Sequence, residues 1–206
     1  MSEPQNTIHQ VDYESEHITF RSIWHAALVL RENASTDESN GFWSLMAAGV
    51  LAYTAYEGFV NDLIARAFPA VWNEQRTQLV GDYRGTLGKT LFIAERLGVV
   101  LQRSGRPYCT VAELHAWRND LVHPQTARVE GVTRADAYAK KPIRAKAIAF
   151  AKLERPVFIP RVFEDVPALG DLLLQSAKRE HWSAVSELGD IAFSGVLGSS
   201  GASLRE

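Results

Sequence analysis

The sequence predicts an all-α fold with an additional C-terminal helical and loop segment, and three features carry that expectation. Apolar residues recur at helical spacing through FWSLMAAGVLAYTAYEGFVNDLIARAF, residues 42–68, as in a helix that faces a core. Turn-forming clusters such as ENASTDESNG, residues 32–41, separate segments of this kind, because Asn, Ser, Asp and Gly favour turns over continued helix. The stretch TVAELHAWRNDLVHP, residues 110–124, carries signals for both ends of a helix.

Taken in chain order, residues 1–16 are polar and without helical pattern. HITFRSIWHAALVLR, residues 17–31, spaces its apolar side chains as a first helix. The 42–68 segment is apolar nearly all round in its first half, which suits a central helix. Ala47, Ala48, Gly49, Ala52, Ala55 and Gly58 let neighbours approach it closely. Its apolar run is broken by Glu57, Asn61, Asp62 and Arg66 before it reaches a membrane-spanning length, so no membrane partner is expected. A short helix over 70–80 and a turn follow. GTLGKT, residues 85–90, resembles a phosphate loop only in part, since Tyr83 stands where that pattern needs glycine and no strand precedes it.

TLFIAERLGVVLQ, residues 90–102, reads as a further helix weakened at Gly98. In the next helix, Thr110 and Glu113 have the spacing of a capping box, and Pro124 ends the last regular turn near Val122. Past Pro124, residues 125–164 are rich in Lys and Arg, which fits either a nucleic-acid contact or the exposed side of a helix over 134–151. PVFIP, residues 156–160, is expected to be extended between its prolines. Asp165 and Pro167 mark the start of a last helix reaching about Phe193, and 194–206 has the composition of a flexible tail.

At 206 residues the chain reads as a single domain, with a core over about 17–125 and an appendage over 126–193. Lys and Arg number 22 against 24 Asp and Glu, so any nucleic-acid contact must come from a local patch. One cysteine, Cys109, excludes an internal disulfide framework. The polar, acidic N-terminus carries no secretory signal, and the expected location is cytoplasmic. The six histidines make no metal-binding spacing, and neither a metal nor another cofactor is expected.

The one compact polar cluster lies on the 110–122 helix. Wound at about 100° per residue, Val111, Leu114, Trp117, Leu121 and Val122 form a core-facing arc, and Arg118 falls inside it. A buried unpaired guanidinium is costly, so Arg118 must reach solvent, a carboxylate or a partner chain. Glu57 is a carboxylate in an apolar stretch. The two helices are therefore expected to pack with Glu57 near Arg118; the alternative is a Glu57 directed to solvent.

RNDLVH resembles the signature of the HEPN family (higher eukaryotes and prokaryotes nucleotide-binding domains), an Arg, a polar residue after it, a gap of four to six residues, then His. Arg118, Asn119 and His123 match it, and Glu57 on AYEGFVNDLI fits an acidic residue on an earlier helix of that family. The resemblance implies an up-and-down helical bundle and metal-independent cleavage of RNA, with Arg118, Asn119 and His123 catalytic. Glu57 and Asp120 then support the site, while Arg84, Lys89, Lys140, Lys141 and Arg144 are candidate RNA contacts.

The chemistry is coherent, because RNA carries its own 2′-hydroxyl nucleophile. Histidine can move a proton near neutral pH, and a guanidinium can hold two phosphate oxygens as charge develops. One protomer offers a single histidine of the motif, so a homodimer that joins two sets in one cleft is expected. The resemblance also implies a toxin or antiphage defence component with an antitoxin partner, nucleotidyltransferase-like or of another type. The competing reading is a non-catalytic helical module that binds RNA or protein through the same surface.

Overall fold

The computed structural model describes residues 18–36, 39–122 and 157–193, and all regular structure among them is helical. The helix predicted over 134–151, the tail over 194–206, and His123, Lys140, Lys141 and Arg144 lie outside the described residues.

The longest apolar segment of the sequence forms α2 (Gly41–Ala67), around which the other long helices pack. Helix α1 (Thr19–Thr36) runs antiparallel along it, with Phe20 against Phe59 at one end and Ala34 against Gly41 at the other. The first helix thus continues several residues into the stretch predicted as a loop. Two short helices, α3 (Pro69–Asn73) and α4 (Gln75–Gln78), and a 3-10 turn (Gly81–Tyr83) replace the single helix predicted over 70–80.

Small residues on α2 do what their size allows. A Cβ on Gly49 would lie 2.8 Å from the Trp117 ring, and one on Gly58 would lie 3.0 Å from Phe20. Ala48, Ala52 and Ala55 are fully buried. Phe20, Trp24, Phe59 and Phe193 close the centre with ring centroids 5.0 to 5.7 Å apart. Each such side chain, moved out of water, contributes about 1.5 to 3 kcal/mol before the entropy of ordering it is counted.

Helix α5 (Gly85–Arg96) starts and ends about one and a half turns before the predicted 90–102 span. GTLGKT is its first turn, not a loop. Gly85 enters with φ +71°, and Gly88 packs so close that a Cβ would sit 2.2 Å from the Tyr83 backbone. At its end Gly98 takes φ +62°, with Gly98 N–H donating to the Glu95 carbonyl and Val99 N–H to that of Ala94. This is a Schellman stop, which needs the left-handed conformation that glycine adopts at little cost.

Helix α6 (Tyr108–Val122) begins before Thr110, and the predicted capping box is not formed. Thr110 Oγ1 instead donates to Asp165 Oδ2 at 2.5 Å, and Glu113 accepts from Arg161 at 2.5 Å. Both side chains reach α7 (Phe158–Val185), a long-range contact that the local pattern could not reveal. Val111, Leu114 and Trp117 are buried as expected, but Val122 is exposed.

The start of α7 overturns the extended reading of PVFIP. Pro160 falls in the first helical turn, where its missing N–H has no intrahelical acceptor to serve. Pro167, predicted to start a helix, lies inside this one. An internal proline costs about 3 kcal/mol, and α7 outweighs it by burying Val162, Phe163, Val166, Leu169, Leu173, Leu174 and Ala177. Far from being an appendage, α7 shares the core with α2 and α6. It ends at Val185 rather than Phe193. The 3-10 turn Ser186–Leu188 and Gly189 at φ +66° fold Phe193 back onto Gly170.

Candidate functional site

Helices α2, α5 and α6 meet along a polar seam. From α2 come Tyr53, Glu57 and Asn61, four apart and so stacked on one side of the helix. Thr86 and Lys89 come from α5, and His115, Arg118 and Asn119 from the C-terminal half of α6. The seam holds Tyr53 and Thr86 buried and the other six partly buried.

Its side-chain hydrogen bonds fall into three sets. Arg118 Nη1 donates to Asn119 Oδ1 at 3.2 Å. Asn119 Nδ2 lies 3.0 Å from His115 Nε2, and His115 Nδ1 lies 2.5 Å from the Tyr53 hydroxyl. Thr86 Oγ1 donates to Glu57 Oε1 at 2.8 Å. Lys89 Nζ donates to Asn61 Oδ1 at 2.7 Å and to Gln75 Oε1 at 3.4 Å, and it stands 5.1 Å from the Trp72 ring centre.

Burial sets the electrostatics. It pushes the His115 imidazole below its ordinary pKa; the Glu57 charge opposes this and the Arg118 charge adds to it. Burial also pushes the Tyr53 phenol up, with the Thr86 side chain acting the other way. Lys89 is drawn down by burial, partly offset by Glu57. The seam therefore favours a neutral His115 and a neutral Tyr53 at pH 7.

The expected contact between Glu57 and Arg118 is corrected. They form no ion pair among the described residues; Glu57 takes the Thr86 hydroxyl, while the Arg118 guanidinium lies over the Tyr53 ring, 5.5 Å from its centre. Arg118 Nε is buried with no hydrogen-bond partner among the described residues. Both charges act on Tyr53 and His115, which stand between them. The alternative of a solvent-directed Glu57 does not hold either.

Arg118, Asn119 and Glu57 thus belong to one seam, as does Lys89, which is tied to Asn61 rather than solvated on a loop. Asp120 is exposed and Arg84 is exposed just before α5. The residues missed by sequence reading are His115 and Tyr53. Their spacing was a usable signal: His115 is four residues before Asn119, and Tyr53 four before Glu57, so each lies beside a residue already singled out.

Among the described residues no group of three or more His, Cys, Asp or Glu side chains is placed to hold a metal ion. No helix among them is long and apolar enough to cross a membrane. No family model, curated protein or solved structure matches the chain.

Proposed function

We propose that this protein is a metal-independent endoribonuclease of the HEPN type, in which Arg118 holds the scissile phosphate and His123 moves the proton. The observation that carries the reading is the state of Arg118. Its guanidinium is partly buried beside Tyr53 and Asn119 and has no carboxylate partner among the described residues, whereas Arg106 and Arg161 are each ion-paired. A cation kept from internal neutralisation is available to an external anion, and the planar fork suits two phosphate oxygens.

The reaction begins with attack of the 2′-oxygen on phosphorus as His123 accepts the hydroxyl proton. The bond to the 5′-oxygen breaks, that oxygen takes a proton, and the products are a 2′,3′-cyclic phosphate and a 5′-hydroxyl. Asn119 orients Arg118. Arg84, exposed just before α5, is a contact for flanking phosphates. A homodimer supplies two Arg118 and His123 sets to one cleft, and an antitoxin partner restrains the activity in its own cell.

The test is cleavage of total cellular RNA by purified protein in EDTA, wild type beside His123→Ala, with end-group analysis of the fragments. Cyclic-phosphate ends from wild type and none from the variant are expected. Equal cleavage by both, or none by wild type, overturns the reading in favour of a helical module that only binds. A strictly monomeric protein at micromolar concentration removes the dimer.

A further inference from the structure

We propose that His115 is a positioning residue of this site: a neutral imidazole carrying its proton on Nδ1, which turns the Asn119 amide oxygen toward Arg118 and thereby aims the guanidinium. This rests on the ribonuclease reading for its functional consequence, while the arrangement itself follows from donors and acceptors alone.

The Arg118 end of the hydrogen-bonded set is one-way. A guanidinium can only donate, so the Asn119 atom 3.2 Å from Arg118 Nη1 must be the amide oxygen. The Asn119 amino group then faces His115 Nε2 at 3.0 Å, and that nitrogen must accept. A neutral imidazole whose Nε2 is bare carries its hydrogen on Nδ1, which donates to the Tyr53 oxygen at 2.5 Å. The donors therefore all point one way along this set, from Arg118 through Asn119 and His115 to the Tyr53 oxygen. Thr86 donates separately to Glu57, which as a carboxylate can only accept. This replaces the direct ion pair that the sequence suggested.

Protonation of His115 reverses one link. Its new Nε2–H meets the Asn119 amino group, so the amide must turn over and present that amino group to Arg118, donor against donor. The guanidinium loses its acceptor and its aim. The groups that act on the ring are Tyr53 and Glu57 from α2, and Arg118 and Asn119 from its own helix. Burial, the largest influence, favours the neutral ring.

The deciding measurement is a long-range 1H–15N correlation spectrum of the full-length protein, with His115 signals identified by their loss in His115→Gln. The expected result is the Nδ1–H tautomer in the neutral ring, and loss of that preference in Tyr53→Phe, which removes only the hydroxyl to which Nδ1 donates. Activity supplies the second arm. His115→Leu should lower kcat for RNA cleavage about 10-fold or more with little change in KM, since it leaves Asn119 free to turn. His115→Gln, whose amide oxygen can still accept from Asn119 and which cannot titrate, should stay within about 3-fold of wild type.

A neutral His115 found as the Nε2–H tautomer overturns the proposal, as does folded His115→Leu cleaving at the wild-type rate. If wild type cleaves no RNA, the ribonuclease reading fails and the tautomer alone decides whether this chain of hydrogen bonds exists. If His115→Leu does not fold, Tyr53→Phe carries the test.

Discussion

The two ends of α6 handle charge in opposite ways. At the N-terminal end Arg106 donates to Asp165 from Nε at 2.7 Å and from Nη2 at 2.8 Å, with Thr110 and Glu164 completing the cluster. Arg161 reaches back from α7 to Glu113. Burial pushes the Asp165 carboxyl up, but the bonds from Arg106 and Thr110, with the Arg106 and Arg161 charges, bring it below its ordinary range. Two turns along the same helix, Arg118 and Glu57 form no ion pair with each other, and each takes a neutral side chain instead, Asn119 and Thr86. The first arrangement neutralises charge and fastens α6 to α7; the second keeps a cation unsatisfied, which stability alone does not favour. That contrast separates a structural polar cluster from a candidate functional one.

Removing the guanidinium from the second end should have the largest effect, and on activity. Arg118→Ala is expected to lower RNA cleavage about 10²- to 10³-fold, roughly 3 to 4 kcal/mol of barrier, as loss of one charge-stabilising donor does elsewhere. The same change should alter urea-unfolding stability by about 1 kcal/mol, because it breaks a ring contact and one hydrogen bond to a neutral acceptor but no ion pair.

Asp165→Ala reverses the pattern. It strips a buried carboxylate from Arg106 and Thr110 and should destabilise the protein by about 2 to 3 kcal/mol, moderated by the half-exposed Arg106 side chain. Cleavage per folded molecule should be unchanged. Equal damage to activity and stability by both variants would erase the distinction between the ends.

Gly49→Ala tests the packing that joins them. Its Cβ would press on the Trp117 ring at 2.8 Å, costing about 1 to 3 kcal/mol and moving the turn that carries Arg118. Cleavage should fall along with the unfolding midpoint.

The smallest expected effect is a pair of pH slopes. With its folded pKa below the ordinary 6.5, His115 takes up protons more readily when the chain is unfolded. Stability therefore declines as pH drops from about 6.5 through the lowered folded value, and His115→Gln should remove that decline. Asp165 is depressed below 3.8, so its contribution is present above that pH and is lost as pH falls through its folded value. Urea midpoints measured across acidic pH should separate the two.

Much of the fold was legible because helical periodicity is a local property. The span of α2 and the small residues that admit Trp117 and Phe20 could be read directly. Boundaries were less so. Thr110 and Glu113 have the spacing of a local cap, yet Asp165 and Arg161 offer them stronger partners from a distant helix. Pro160 and Pro167 looked like breaks, but one occupies a first turn that needs no N–H and the other is outweighed by burial along α7. In the site, Arg118, Asn119 and Glu57 stood out as polar groups at apolar or motif positions. Tyr53 and His115 did not, since an aromatic residue and a histidine on helices read as ordinary core.

By itself the sequence determined the helical class, the central helix and which side chains had to solve the problem of charge in an apolar setting. It did so because periodicity and desolvation act on residues one helix at a time. Only the tertiary structure decided how that problem is solved. Whether Arg118 meets Glu57 directly, or meets Asn119 with His115 and Tyr53 behind it while Thr86 takes Glu57, depends on where three helices place atoms within hydrogen-bonding reach. Distances of that kind are set by packing between segments far apart in the chain, and no local pattern encodes them.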